Sequence, residues 1–328
     1  MKKLLQKNRI SLLLFAAFLI SGLFFAFRTE HYCSLLSSQL EAERWQGEGD
    51  AEFSQLSVFL PPSAETGTET VNSFRTALMT ALDAASYPTD PVPFIDAYSC
   101  SGSLTVSSDR ASTTSGVIAV GGSFFEFHPL KLLSGSYISE EDFSRDTVLL
   151  NEELAWLLFG SSDVAGLTIK AGGETFYVSG VVEQETDAAS KKADSSSLCL
   201  YMLYDSYSYL TASSPAISCY ELCMPNPVKN FALNLVSEKF PHEGGEILEN
   251  SSRFSLKNLA ATAKDISSLS ISGAVSYPSW ENAARYALSK AALCLLHSAV
   301  MFSASAVFLI AFAVKLTLKL KNKIRNKV

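Results

Sequence analysis

The chain has 328 residues, of which 48% are hydrophobic and 18% charged, and its formal net charge at pH 7 is −7. This length accommodates two compact domains, or one domain together with membrane spans. The apolar residues concentrate at 10–27 and 291–314, so the composition excludes an ordinary soluble protein. Between these stretches the sequence is typical of a globular domain.

The first predicted element is a membrane-spanning helix at 10–27, because these 18 residues carry no charge. At about 1.5 Å per residue, such a helix is about long enough to cross a hydrocarbon core of roughly 30 Å. Four basic residues precede it within 1–9, as they would in a secretory signal peptide. No small-x-small cleavage site follows, so an uncleaved anchor is favoured over a signal peptide.

After the first span, two strand–helix–strand patterns are predicted, at about 51–107 and 217–252. In the first pattern, apolar residues between Val71 and Leu82 recur at spacings of three and four, which indicates an amphipathic helix. The proline-rich stretch 88–93 ends that helix, and 93–108 is interpreted as a pair of strands. The two patterns predict two similar halves, assigned to 28–115 and 216–278.

Between these halves, 116–215 is predicted to be a β-rich insert. It contains apolar runs at 116–120 and 124–127, a strand at 147–150 and a short helix that ends at Gly160. Gly172 and Gly173 supply the positive φ angles that a two-residue hairpin turn needs. The predicted fold class is therefore an α+β extracytoplasmic domain, two halves with a β-rich insert, between two transmembrane helices.

The second predicted span is part of a stalk and helix at 279–314, which is followed by a tail at 315–328. The tail contains six basic residues and no acid. Because basic clusters flank both spans on their outer sides, the positive-inside rule places 1–9 and 315–328 in the cytoplasm. The remaining 16 basic and 33 acidic residues give the external part a net charge of −17, which excludes nucleic acid as its partner.

The sequence contains no P-loop, no GxSxG elbow and no HExxH motif. No enzyme activity, cofactor or metal is predicted. The acidic cluster Glu140, Glu141 and Asp142 is interpreted as a loop opening that favours a helix N-terminus rather than as a cation site or an acid–base pair. His297 is interpreted as a packed or hydrogen-bonded side chain rather than a proton relay. His31, His128 and His242 have no ligand-spaced companions and receive no role.

Two sets of residues are candidates for contacts with other helices or proteins. Ser298, Ser303 and Ser305 are small enough for close helix packing, although lipid-facing composition explains them equally well. The tail is predicted to anchor the span at the lipid bilayer. Its basic residues are also candidates for contact with a cytoplasmic partner: Lys315, Lys319, Lys323 and Arg325.

The insert and its setting resemble the periplasmic core domain of MacB-type ABC transporter permeases, a class that includes macrolide exporters, lipoprotein extractors and antimicrobial-peptide resistance pumps. The resemblance extends from the first predicted span through the second, and it implies that the halves at 28–115 and 216–278 are porter-like. The matching residues keep a specific order: FF at 124–125, LLSG at 132–135, SEED at 139–142, VLLN at 148–151, FG at 159–160, VAG at 164–166, TI at 168–169 and YVSGVV at 177–182.

The resemblance implies a permease-like subunit of the bacterial cell membrane that transmits ATPase-driven motion to an extracytoplasmic domain, in export, extraction or peptide resistance. It implies a cytoplasmic ABC ATPase and a second permease chain as partners, and no catalytic residue. Such permeases normally have four spans, one before the domain and three after it, whereas this sequence predicts two and lacks the last two. The alternative is a membrane-anchored extracytoplasmic binding or sensing module without transport activity.

Overall fold

The computed structural model describes residues 9–34, 41–46, 52–185, 188–193, 198–269 and 275–325. The chain divides into two compact units. The helical unit consists of Met1–Leu35, Phe254–Ser270 and Ala287–Val328, and the sheet unit of Leu36–Arg253 and Ile271–Tyr286.

The helices are α1 (Arg9–Ser34), α2 (Glu41–Gln46), α3 (Thr68–Ala84), α4 (Phe124–Phe127), α5 (Glu152–Phe159), α6 (Ala188–Lys192), α7 (Tyr204–Thr211), α8 (Phe231–Lys239), α9 (Leu256–Lys264) and α10 (Ser279–Arg325). The strands are β1 (Phe53–Phe59), β2 (Ile95–Ser107), β3 (Ser112–Gly122), β4 (Leu132–Gly135), β5 (Thr147–Asn151), β6 (Thr168–Ala171), β7 (Glu174–Val182), β8 (Cys199–Leu203), β9 (Cys219–Pro225) and β10 (Glu246–Glu249). This combination confirms the predicted α+β class.

The described strands form one mixed sheet in the order β10-β1-β9-β2-β3-β8-β5-β7-β4, and β6 pairs with β2 and β7. The pairs β3–β8 and β5–β7 are parallel, and the others are antiparallel. Strand β9, from the second predicted half, lies between β1 and β2 from the first. Since the halves and the insert share this sheet, the division into 28–115, 116–215 and 216–278 stays a prediction.

The core of the sheet unit joins the two predicted halves directly. Helix α3 buries Val71, Phe74, Leu78 and Leu82, the apolar face predicted from their spacing. The ring of Phe74 packs edge-on against Tyr220 of β9 and Phe240 after α8, at centroid distances of 5.7 and 5.0 Å. Burial of these large apolar side chains supplies the main free energy that holds α3 and α8 to the sheet.

Two further predictions in the insert are confirmed. The side chain of Asn151 caps α5 by accepting a hydrogen bond from the Leu154 amide at 3.2 Å, and Gly160 ends the helix with φ at 77°. Strands β6 and β7 form the predicted hairpin, in which Gly172 and Gly173 have φ angles of 58° and 96°.

One strand prediction was wrong, and the error involves a glycine. Residues 95–107 form one strand rather than two, because Gly102 does not turn the chain; a Cβ there would lie 1.8 Å from the Tyr207 hydroxyl, so the glycine permits a close approach. The apolar run 124–127 forms helix α4. Gly122, with φ at 65°, turns the chain out of β3 immediately before it.

The helical unit contains α1, α9 and the larger part of α10. The helices at Ile10–Ser34 and Ser279–Lys319 are long and apolar enough to cross a membrane. Within this unit α1 and α10 run antiparallel, with the Phe18 and Phe308 rings stacked at 5.6 Å. A Cβ on Gly22 would lie 2.8 Å from the ring of Phe302, so this glycine allows the two helices to pack closely.

Candidate functional site at the start of the long helix

The first two turns of α10 carry a buried carboxylate held by two guanidinium groups. Arg253, just after β10, donates to both Glu281 oxygens at 2.8 Å, and Arg285 donates from Nε to Glu281 Oε1 at 2.7 Å. The side chains of Arg253, Glu281 and Arg285 are 8%, 1% and 6% exposed. Glu281 and Arg285 are one helical turn apart, so the helical geometry of α10 by itself brings these two side chains together.

A second carboxylate balances the charge of this group. Arg285 also donates to Glu246 of β10 at 2.5 Å, and its guanidinium lies 3.9 Å from the centroid of the Tyr277 ring. Tyr277 donates its hydroxyl to Glu246 at 2.5 Å. Burial, together with this hydrogen bond, raises the pKa of Tyr277 to about 12, so the hydroxyl stays a donor at neutral pH.

We call these five residues the ionic junction: Glu246, Arg253, Tyr277, Glu281 and Arg285. Charges removed from water are costly unless they are paired and hydrogen-bonded, as they are here. Loss of one partner would leave a buried charge uncompensated, which typically costs about 3–5 kcal/mol. The start of α10 is therefore firmly fixed to β10 and to the turn that follows it.

Beside the ionic junction, Trp280 attaches the first turn of α10 to α4 and the residue after it. Its ring lies 5.6 Å from that of Phe124 and 4.5 Å from that of His128. His128 is buried, and its Nε2 is 2.6 Å from Oε2 of Glu221 in β9. His128, which received no role in the sequence analysis, thus joins α10 to strand β9.

On the other side of Phe124 lies a cleft of about 670 Å³ between α3, α4 and residues 137–141. At its wall, Arg75 of α3 donates to both oxygens of Asp96 in β2 at 2.8 and 2.9 Å. Tyr98 donates to Glu140 Oε1 at 2.5 Å, and burial raises the pKa of Tyr98 far above its ordinary value. This hydrogen bond ties residues 137–141 to strand β2.

The predicted acidic cluster therefore has a different structural role from the one expected. Asp142 accepts from the Ser139 amide at 2.8 Å, and Glu140 is bonded to Tyr98. The cluster forms a turn, and the next element is strand β5 rather than a helix, so the interpretation as a helix N-terminus was wrong. Within the described residues, no group of three or more His, Cys, Asp or Glu side chains converges on a possible metal position.

The predicted small residues of the second span lie in the helical unit. Ser298 donates to the Gly22 carbonyl oxygen at 3.0 Å and Ser305 to that of Phe15 at 3.3 Å. Ser303 is exposed and donates to Ala299 of its own helix at 2.7 Å. His297 stacks on Phe25 at 5.1 Å and bonds through Nδ1 to the Leu293 carbonyl oxygen at 2.7 Å, which agrees with the packed side chain predicted for it.

The predicted partner-contact residues follow the second span. Lys315 and Lys319 are exposed on α10. Lys323 and Arg325 belong to the same helix, but their side chains lie outside the described part of the structure. Contact of these four residues with a cytoplasmic protein stays a prediction.

The family model of the MacB-like periplasmic core domain matches residues 48–220. The sheet is similar to the extracellular domain of the noncanonic ABC-type transporter YknZ from Gram-positive bacteria, with 14% identity, a TM-score of 0.42, and coverage of 59% of this chain and 99% of that one. The periplasmic region of MacB from Actinobacillus actinomycetemcomitans is also similar, with 17% identity, a TM-score of 0.43, and coverage of 64% and 92%.

A domain of a putative permease protein from Porphyromonas gingivalis is similar too, with 12% identity, a TM-score of 0.37, and coverage of 63% and 94%. No curated protein sequence matches the chain. The family model covers more than half of the 328 residues and includes the phrases between 124 and 182 that carry the resemblance. The chain therefore belongs to the MacB-like periplasmic core domain family of ABC transporter permeases.

Proposed function

We propose that the chain is a permease-like membrane subunit of a MacB-type ABC transporter, which passes the motion of a cytoplasmic ATPase to the domain outside the membrane. The observation that carries this proposal is the ionic junction. Glu281, in the first turn of α10, is held by Arg253 beside β10, and the same helix continues as a candidate span. A displacement of the start of α10 must move β10 with it or leave buried charges unpaired.

The topology belongs to the same proposal. Both candidate spans are flanked on their outer sides by basic residues, and the residues between the spans carry a net charge of −17. The positive-inside rule then supports a multi-pass protein of the bacterial cell membrane with cytoplasmic termini and an extracytoplasmic sheet unit. In this arrangement Lys315, Lys319, Lys323 and Arg325 face the cytoplasm.

Two partners follow from this role. A cytoplasmic ABC ATPase supplies the motion and contacts the basic tail, and a second permease chain completes the membrane part. Export, extraction and peptide resistance are the roles that the family resemblance offers. Motion that arrives through α10 reaches the sheet without any catalytic residue in this chain.

The test is purification of the intact chain from membranes in mild detergent, with bound proteins identified by mass spectrometry. The expected result is co-purification of an ABC ATPase, and its loss when the four basic tail residues are replaced by glutamine. The matched control replaces four exposed lysines of the sheet unit by glutamine: Lys170, Lys191, Lys229 and Lys239. Retention of the ATPase by this control separates a local contact from a change in net charge.

Recovery of the intact chain without any ATPase contradicts the proposal. It favours a membrane-anchored binding or sensing module instead. If the tail and control variants lose the ATPase equally, the tail is not the contact.

A further inference from the structure

The cleft beside α3 has the size and lining of a small-molecule site. Its volume of about 670 Å³ lies within the range of roughly 300–1,000 Å³ that is typical of ligand pockets. Much of its lining is apolar and comes from four separate segments of the sheet unit. The apolar side chains include Met79, Val92, Phe94, Phe124, Phe125 and Ile138.

The charged part of the lining is unbalanced. Arg75 is the one basic side chain among the described lining residues, and Asp96 neutralises it through two hydrogen bonds. Glu140 and Glu141 are further acidic residues of the lining. Tyr98, which stays protonated, donates to Glu140 without cancelling its charge. The cleft therefore combines an apolar wall with a negative potential.

The architecture of the sheet preserves this arrangement. A Cβ on Gly121 would lie 2.1 Å from the ring of Tyr98 and 2.5 Å from Oε1 of Glu140. Only a glycine at this position lets the Tyr98–Glu140 hydrogen bond lie across β3. The bond in turn holds Ile138 and Glu141 at the rim of the cleft.

The cleft also touches the start of the long helix through one aromatic ring. Phe124 lines the cleft, and its ring lies 5.6 Å from that of Trp280, the residue before Glu281. A ligand that displaces Phe124 therefore changes the surroundings of Trp280.

We infer that this cleft binds an organic cation with an apolar body, and that Trp280 senses its occupancy. The apolar wall holds the body of the ligand, and the carboxylates of Glu140 and Glu141 attract its charge. The acidic external part, with a net charge of −17, raises the local concentration of such cations. Binding rests on the cleft alone, whereas a use of binding in transport rests on the proposed function.

The experiment uses the intact chain in nanodiscs of zwitterionic lipid. Replacement of Trp45 and Trp156 by phenylalanine leaves Trp280 as the one tryptophan of the three in the sequence. The probes are tetraphenylphosphonium and tetraphenylborate, which have similar shapes and opposite charges. We expect a saturable change in Trp280 fluorescence with the cation, and an apparent affinity at least roughly tenfold weaker for the anion, after subtraction of empty nanodiscs.

Two double variants with the same change in net charge locate the site. Glu140→Gln with Glu141→Gln should weaken binding of the cation by roughly tenfold, because both carboxylates lie at the cleft. The glutamine at 140 can still accept from Tyr98, so the loop is retained. Glu174→Gln with Glu243→Gln, exposed acids that are not part of the lining, should weaken binding less than about twofold.

Equal weakening in the two double variants, or equal affinity for the two probes, would overturn the cation site. Saturable binding measured by calorimetry without a change at Trp280 would overturn the sensing role alone. These outcomes are independent of ATPase co-purification. A chain that binds the cation but no ATPase contradicts the proposed transport role and leaves the site intact.

Discussion

Two stretches of the same helix hold their neighbours by different means. In the sheet unit, the first turns of α10 bury Glu281 and Arg285 in ion pairs with residues of β10 and the turn after it. In the helical unit, α10 carries no Asp, Glu, Lys or Arg from 291 to 314. Among its polar contacts with α1 there, the hydroxyls of Ser298 and Ser305 donate to backbone carbonyls, and Arg28 of α1 forms a side-chain hydrogen bond with Cys294.

This difference indicates where the helix is fixed and where it can adjust. Removal of one partner from a buried charge pair costs about 3–5 kcal/mol. A side-chain hydrogen bond between membrane helices contributes about 0.6 kcal/mol on average. A displacement of α10 is therefore expected to change its packing on α1 before it breaks the ionic junction.

The largest expected effect comes from removing the shared carboxylate. Glu281→Ala should lower the free energy of unfolding of the sheet unit by about 3–5 kcal/mol, because it leaves Arg253 and Arg285 buried without their common partner. Denaturant titration of the intact chain in mild detergent, followed by near-UV circular dichroism, measures it. The exposed acid Glu243, replaced by alanine, is the control and should change the same quantity by less than about 0.5 kcal/mol.

A triple variant distinguishes the effect of unpaired charge from the effect of lost packing in the ionic junction. Replacement of Arg253 and Arg285 by methionine together with Glu281→Leu removes the three charges and keeps most of the side-chain volume. It should be clearly more stable than Glu281→Ala, since no unpaired charge remains buried. If the triple variant is the less stable of the two, loss of pairing is not the reason for the effect.

A smaller effect is expected at the aromatic side of the first turn. His128→Leu keeps an apolar contact with Trp280 but removes the 2.6 Å partner of Oε2 of the buried Glu221, whereas Oε1 keeps the Ser57 hydroxyl at 3.4 Å. The free energy of unfolding should fall by about 1–3 kcal/mol, the usual cost of an unsatisfied buried polar group. The same titration measures it, and His242→Leu, on the partly exposed His242, is the control. A change of similar size in the two variants would contradict a specific role for the His128–Glu221 pair.

The sequence predicted those elements whose structure is determined by near neighbours. Helix α3 followed from apolar spacing, and the β6–β7 hairpin from Gly172 and Gly173. The sequence predicted two strands where β2 is one, because Gly102 suggested a turn. The glycine is instead required by the close approach of Tyr207, which lies more than one hundred residues further along the chain. A contact between residues so far apart cannot be predicted from the local sequence pattern.

The candidate site was hidden for the same reason. Arg253 and Glu281 are 28 positions apart, and His128 and Glu221 are 93 apart. Neither separation matches a ligand spacing or a helical period, so sequence reasoning assigned these residues no role. The order of phrases in the insert was sufficient to predict the family, because a family resemblance depends on residue identities and not on contacts. Prediction of a contact such as His128–Glu221 would have required the position of β9 between β1 and β2.

The smallest expected effect belongs to the helical unit. Ser298→Ala removes one hydroxyl that donates to the Gly22 carbonyl oxygen and should weaken the association of α1 with α10 by about 0.6 kcal/mol. Energy transfer between fluorophores on the two helices, followed during titration with a denaturing detergent, measures this change. Ser303→Ala removes an exposed hydroxyl that bonds within its own helix and should leave the titration unchanged. If Ser298→Ala lowered stability as much as Glu281→Ala, the attachment would be equally strong along the helix, and α10 would move as one body with both of its neighbours.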